Sequence, residues 1–154
     1  MKKPCVVIIV GSKSDLPKIE SCLLLLIKFG ISYKVMVASA HRDPNKVISI
    51  AKLAEKECDL IIAGAGMAAH LPGVIASHTT LPVIGIPISS QVLSGFDALY
   101  SIVQMPPGVP VATVAIDGDK NAAILAAQIL SLKYSYLKNK LADLKKELKI
   151  KGKI

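Results

Sequence analysis

Five short apolar runs punctuate the chain: CVVIIV (5–10), YKVMVA (33–38), DLIIAG (59–64), PVIGIP (82–87) and PVATVAI (110–116). They are rich in β-branched residues and mostly continuous rather than alternating, as strands covered on both faces should be. Segments of helical length separate them: 16–29 closed by Gly30, 44–57 opened by Pro44, 67–79, and about 93–104. Parallel strands need crossover connections, so this alternation predicts an α/β fold, a five-stranded parallel sheet with helices on both faces. No repeat, low-complexity segment or internal linker interrupts the pattern.

Beyond the fifth run, residues 121–149 read as one long helix. Leu130, Tyr134, Leu137, Leu141, Leu144 and Leu148 recur at alternating spacings of four and three, a narrow apolar seam. Such a helix is about 40 Å long, further than its own sheet can cover. Its distal half is therefore expected to pack on a neighbouring subunit.

Composition narrows the function classes. With 154 residues the chain can bury a proper core, and 52% hydrophobic content excludes a disordered chain. Cys5, Cys22 and Cys58 lie in or beside apolar runs without CxxC spacing, and are expected to be small core residues of a reduced cytoplasmic protein. The apolar stretch after MKKP is too short for a secretory signal, and no run approaches the roughly 20 residues of a membrane span, so a soluble chain with no membrane partner is expected. The net charge of +8 is concentrated at one end: residues 133–154 hold eight lysines against Asp143 and Glu147. That tail has no arginine, and Tyr134 and Tyr136 are its only aromatics, so it lacks the groups that base recognition prefers and no nucleic-acid partner is expected.

Chemistry in an open α/β sheet belongs at the carboxyl ends of the strands, and the first three runs each enter an unusual loop. In GSKSD (11–15), Ser12 and Ser14 offer hydroxyls and N–H groups suited to a phosphate, without the GxxxxGK[ST] pattern of a nucleoside-triphosphate loop. Asp15 reads equally as the helix N-cap and as an acceptor for ribose hydroxyls. In SAHRDP (39–44), Ser39 ends the second strand and Pro44 opens a helix, leaving Ala40, His41, Arg42 and Asp43 at the tip. Arg42 is the only arginine beside eighteen lysines. Its planar fork binds phosphate in a way lysine cannot reproduce, and the adjacent His41 is an imidazole suited to proton transfer.

In GAGMAAHLPG (64–73), Gly64, Gly66 and Ala69 match a dinucleotide fingerprint formally, but after the third strand and with no acidic residue about 20 positions on, so a nicotinamide cofactor is a weak reading. The glycines are expected to let a ligand's base approach the backbone, with His70 either facing it or serving as a structural hydrogen-bonder. His78 reads as structural. Two loop histidines without a carboxylate cluster argue against a metal, and the absence of GxSxG against a serine hydrolase.

Taken in order, GSKSD, SAHRDP, GAGMAAHLPG, PVIGIP, SGFDALYSIVQMPPGVPVATVAI and NAAILAAQIL resemble the 5-(carboxyamino)imidazole ribonucleotide mutase family of purine biosynthesis, the catalytic-subunit class of phosphoribosylaminoimidazole carboxylase, over residues 5 to about 132. The resemblance implies a flavodoxin-like three-layer α/β/α fold, a cytoplasmic homo-octamer and neither metal nor organic cofactor. It divides the chain into a catalytic domain (1–132) and a lysine-rich helical extension of that domain (133–154). Residue by residue it places Ser12, Ser39 and Arg42 on the ribonucleotide phosphate and Asp15 on the ribose, with Ser14 and Ala40 as further substrate-binding residues. It wraps the aminoimidazole and its carboxylate with Ala65, Gly66, Met67, Ala68, Ala69, His70 and Leu71, and makes His41 the sole acid and base. A separate carbamate-forming synthetase, as donor of the substrate, stays an open question.

Two features depart from the family pattern: Met67 stands where glycine is more often associated, and IDGDKNAA is shorter than the familiar form. Two rival readings stay open. One is the sister class that carboxylates aminoimidazole ribonucleotide directly with CO2, which resembles SAHK and GRSN patterns absent from this chain. The other is a non-catalytic nucleotide- or flavin-binding module on the same fold.

Overall fold

The computed structural model of the chain describes residues 3–150 and 152. Its elements run β1 (Cys5–Val10), α1 (Glu20–Phe29), β2 (Ser32–Val37), α2 (Pro44–Glu57), β3 (Leu60–Gly66), α3 (Leu71–Ala76), β4 (Val83–Ile88), α4 (Phe96–Val103), β5 (Ala112–Thr113), α5 (Asp119–Leu130) and α6 (Tyr136–Ile150). The strands form one parallel sheet in the order β2-β1-β3-β4-β5. The chain leaves β1 toward one edge and returns to β3 on the other side, so the connections diverge between β1 and β3. That is the place where an open sheet binds ligands.

Because successive side chains of a strand point to opposite faces, the sheet feeds two cores. Val6, Ile8, Val10, Leu60, Ile62, Ile84 and Ile86 meet α1, α5 and α6. Val7, Ile9, Ile61, Ala63 and Val83 meet α2, α3 and α4. The three-layer α/β/α architecture follows from this division. Asp119, buried at the start of α5, accepts the Cys22 N–H of α1 at 2.9 Å and so locks two helices of one layer.

Element ends differ from the sequence pattern where backbone chemistry intervenes. Pro17 sits in a 3-10 turn, Lys13–Ile19, so α1 begins at Glu20 rather than near 16. Gly30, at φ 73°, closes α1 with its N–H on the Leu26 and Ile27 carbonyls. α3 is shorter than the expected 67–79: Met67–His70 stay in the loop, and at the far end the Ser77 hydroxyl donates to the Val74 carbonyl. β2 lies at the sheet edge with Ser32, Lys34 and Val35 exposed, so cover on both faces holds for β1, β3 and β4 only.

Two expectations are corrected. Cys5 and Cys58 are joined as a disulfide between the start of β1 and the end of α2, their Cα atoms 4.6 Å apart, and only Cys22 is a free, buried thiol. Burial, reinforced by the Asp119 charge, pushes the Cys22 thiol up to about 12. Second, the segment expected as one helix over 121–149 is broken at 131–135. The Ser131 hydroxyl turns back to the Gln128 carbonyl (2.7 Å), while Lys133 Nζ (2.7 Å) and the Tyr134 hydroxyl (3.1 Å) donate to Asp59. This pins the chain and sends α6 back over α1. There Leu137 is fully buried, Leu141 and Leu144 pack on the same core, and Tyr136 donates to the Gly30 carbonyl at 3.2 Å. From Leu137 to Leu144 the seam thus packs on this chain's own core. The last tail lysines, Lys151 and Lys153, lie outside the described residues.

Candidate active site

The loops after β1, β2 and β3 meet the tip of β4 around a cavity of about 640 Å³. Ser12, Ser14 and Asp15, Ser39–Arg42 and Ala65–Leu71 all line it, while Asp43 and Gly64 do not. Gly11, Ile88, Ser89 and Ser90 line it too.

The β1 loop is held by a reciprocal cap. Ser12 has an extended backbone, and its Oγ accepts the Ser14 N–H (3.3 Å) and the Ser14 hydroxyl (2.9 Å). Its own N–H donates to Asp15 Oδ2 at 3.0 Å. Ser12 is therefore the cap, and Asp15 is the third helical residue closing the box rather than the N-cap. Burial pushes the Asp15 carboxyl above its ordinary value, against the opposing pull of the Ser12 N–H, the Ser14 hydroxyl and the Arg42 charge.

The β2 loop is a turn in which Ser39 Oγ accepts the Arg42 N–H (3.3 Å) and the Asp43 carboxylate caps α2 through Lys46 N–H (3.1 Å). Arg42 then reaches sideways, and its Nη2 donates to the Gly11 carbonyl at 3.2 Å, which lays the guanidinium over the serine turn. His41 points the other way. Its Nε2 lies 2.7 Å from His70 Nδ1, with the two rings edge to face at 74°. A contact of that length holds one proton between the two nitrogens, so each ring restricts the other's tautomer.

The β3 loop carries His70 on a tight path, with Ala69 N–H on the Met67 carbonyl (2.9 Å) and His70 N–H on the Ala68 carbonyl (2.8 Å). Met67 enters it at φ 55°, a left-handed conformation unfavourable for a side chain of its size, and is largely exposed at the cavity. Gly64 lies outside the cavity lining and Gly66 within it, and both are packed closely against β4. A Cβ on Gly64 would stand 3.1 Å from Ile88 Cδ1, and one on Gly66 3.1 Å from the Ile88 carbonyl, so these glycines admit β4. Ala65, Ala69 and Leu71 are buried and give the cavity an apolar floor. His78 stands apart, its Nδ1 2.9 Å from both Ser77 Oγ and the Val74 carbonyl at the end of α3, which is a structural role.

The β4 contribution was missed. Ser89 and Ser90 follow β4 as Ser39 follows β2, and a pair of hydroxyls directly after a buried strand was the available signal. Ser89 is fixed by Asp117, to which it donates its N–H (3.0 Å) and hydroxyl (2.6 Å), and Lys18 Nζ pairs with the same carboxylate at 2.9 Å. Burial raises the Asp117 carboxyl, but the Ser89 and Lys18 bonds outweigh it and hold the group below its ordinary range. Among the described residues no three His, Cys, Asp or Glu converge as a metal-binding group, and no helix is long and apolar enough to cross a membrane.

A family model described as AIR carboxylase matches residues 5–151. This chain belongs to the AIR carboxylase family. It is 55% identical over 151 residues to the N5-carboxyaminoimidazole ribonucleotide mutase of Pyrococcus horikoshii, covering 97% of this chain and 85% of that one. Identity to the Thermotoga maritima protein of the same name is 53% over 147 residues, covering 95% and 86%. The crystal structure of Treponema denticola PurE superposes with a TM-score of 0.88 at 32% identity, covering 97% of this chain and 94% of that one. Within this AIR carboxylase-family fold, the bulk of Met67 and the short IDGDKNAA segment both fall near the cavity, the first on its wall and the second through Asp117 behind Ser89.

Proposed function

We propose that this chain is an N5-carboxyaminoimidazole ribonucleotide mutase of purine biosynthesis, moving a carboxylate from the exocyclic nitrogen to ring C4 of its ribonucleotide substrate. One observation carries the reading. Arg42 and His41, neighbours on the β2 loop, reach opposite walls of one cavity, Arg42 toward the serine turn and His41 toward His70. A phosphate held by Arg42, Ser12, Ser14 and Ser39 puts the ribose hydroxyls near Asp15 and sends the base toward the two histidines.

Chemistry then needs one proton carrier. Protonated His41 gives its proton to the exocyclic nitrogen; the carbamate C–N bond breaks, its electron pair stays on nitrogen, and CO2 leaves. The electron-rich C4 attacks that CO2, and neutral His41 removes the C4 proton, which restores the enzyme. His70 orients the His41 ring through their shared hydrogen bond. Ala65, Ala69 and Leu71 supply the apolar surface that suits an uncharged CO2 between the two steps.

The mutase works in the cytoplasm as a homo-octamer, with residues 1–132 as its catalytic domain and 133–154 as an extension of that domain. Association is supported by the exposed apolar side chains Val92, Leu93, Phe96, Tyr100 and Val103 on and before α4. An eight-chain mass in light scattering is expected. A separate carbamate-forming synthetase that hands over the unstable substrate is part of the same proposal.

The decisive experiment supplies the carbamate ribonucleotide with a ¹³C-labelled carboxylate in unlabelled bicarbonate and follows label by mass spectrometry. Label retained at C4 is the expected result. Product with only unlabelled carboxylate would replace the mutase with a direct CO2-dependent carboxylase. No product beyond an enzyme-free control, with visible absorbance from the purified protein, would leave a flavin-binding module.

A further inference from the structure

Ser90 holds the one described buried side-chain polar atom without a hydrogen-bond partner. Its Oγ is shielded from bulk solvent, yet the residue lines the cavity. Folded proteins seldom leave a buried hydroxyl unpaired, and such a group calls for a partner that the chain itself does not provide.

Its surroundings show that the placement is built. Gly66 and Ile88 are paired across β3 and β4, so the chain just past Ile88 runs beside the Met67–His70 loop. Ser89 is clamped by Asp117 through both its N–H and its hydroxyl, and the Asp117 N–H returns to the Pro87 carbonyl at 2.9 Å. Lys18 neutralises the Asp117 carboxylate, so an anion approaching Ser90 meets no uncompensated negative charge from behind. The Ser90 carbonyl is occupied by the Ser94 N–H at 3.1 Å, which leaves the hydroxyl as the group with nothing to bind.

The order of the strands says which part of a ligand arrives there. Arg42 follows β2 and the serine turn follows β1, at one end of the cavity; Ser90 follows β4, at the other. With the phosphate at the first end, the base and its carboxylate lie toward the second. We infer that Ser90 is a substrate-binding residue whose hydroxyl donates a hydrogen bond to the migrating carboxylate. This inference rests on the mutase reading, and it adds a donor from a fourth strand to a site otherwise drawn from three loops. A hydroxyl donating to a carboxylate makes a charge-assisted bond, stronger than a neutral one.

The test compares the native full-length chain with Ser90→Ala in three measurements: turnover of the carbamate ribonucleotide, thermal melting of the free protein, and calorimetric binding of the C4-carboxylated ribonucleotide against its decarboxylated counterpart. Native protein is expected to bind the carboxylated compound more tightly. Ser90→Ala is expected to lose about 10-fold of that preference and about 10- to 100-fold in kcat/KM. Melting of the free variant should be unchanged or raised, because an unpaired buried hydroxyl has been removed. A variant that keeps the preference and stays within about twofold of native kcat/KM overturns the role of Ser90 while native turnover leaves the mutase standing. A drop in melting temperature that accompanies the kinetic loss overturns it too, since the hydroxyl then has a structural partner. A native chain without turnover whose preference still depends on Ser90 sinks the mutase and keeps Ser90 as a carboxylate donor; a native chain that binds neither compound sinks both.

Discussion

The two edges of the same sheet treat an aspartate in opposite ways. At the amino edge, Asp59 precedes β3 and accepts the Cys5 N–H (3.1 Å), Lys133 Nζ (2.7 Å) and the Tyr134 hydroxyl (3.1 Å). Burial acts to raise its carboxyl, but these donors and the Lys133 charge together hold it below the ordinary 3.8. At the carboxyl edge, Asp15 accepts the Ser12 N–H, and there burial wins and the carboxyl is raised. One edge saturates its carboxylate and thereby ties the C-terminal segment to the sheet. The other leaves its carboxylate short of donors beside a cavity, a configuration that disfavours the free protein and favours a ligand that brings hydroxyls. Stability and function should therefore separate by edge.

The strongest way to break that separation is His41→Asn. Proton-transfer groups typically contribute about 10²- to 10⁴-fold. Turnover is expected to fall by that factor with the melting temperature unchanged, since the exposed His41 side chain contributes no core packing. Retention of more than a few per cent of kcat would remove His41 from the acid/base role. Arg42→Lys comes next. A point charge cannot replace the fork, and hydrogen bonds to charged groups are worth roughly 1.5–3 kcal/mol, so kcat/KM should fall about 10- to 100-fold, chiefly through KM, with melting again unchanged.

The residues behind these effects were largely readable beforehand because loops after parallel strands have few other uses. GSKSD, SAHRDP and GAGMAAHLPG all reach one cavity, and the sheet that carries them follows from continuous β-branched runs. What escaped was whatever depends on partners distant in sequence. Nothing local reveals that Asp59 meets Tyr134 across 75 positions, so the helix break at 131–135 was invisible to a periodicity that runs straight through it. Nothing in the spacing of Cys5 and Cys58 announces that β1 and α2 bring them together. Nor does GAGMAAHLPG show that Gly64 and Gly66 stand against Ile88 on the next strand, with only Gly66 at the cavity.

At the amino edge the expected effects are smaller and fall on stability. Asp59→Ala removes the acceptor that anchors Lys133 and Tyr134, and leaves the Cys5 N–H without its side-chain acceptor. The Tyr134 and Cys5 bonds, lost at about 1 kcal/mol each with a shift of about 2–4 °C per kcal/mol for a chain of this size, lower the melting temperature by roughly 4–8 °C. The variant's kcat should match native, and a loss beyond about twofold would mean that the two edges are coupled. Its pH signature is also distinctive. A carboxyl depressed by folding stabilises fully above its unfolded value of 3.8, and this contribution is lost as pH falls through the lower folded value. The native-minus-variant difference in stability should therefore be flat at neutral pH and shrink only below about 4.

Tyr134→Phe isolates the smallest piece of the same anchor. The phenol donates to both Asp59 oxygens, at 3.1 and 3.2 Å, so its deletion removes a hydrogen bond to a charged acceptor while keeping the ring packed on the core. About 1 kcal/mol, or 2–4 °C, is expected at neutral pH. The comparison becomes sharp in a double-mutant cycle. With Asp59→Ala already present the phenol has lost its acceptor, so the second substitution should add almost nothing, and the coupling should approach the whole effect of Tyr134→Phe alone. Acid provides an independent check: once Asp59 is protonated the hydroxyl faces a neutral carboxyl, and the coupling should weaken in the same window below about 4. Additive effects at neutral pH would mean that the Tyr134 hydroxyl acts through a group other than Asp59, since the ring is kept in both proteins, and the anchor would then reduce to the Lys133 pair and the Cys5 N–H.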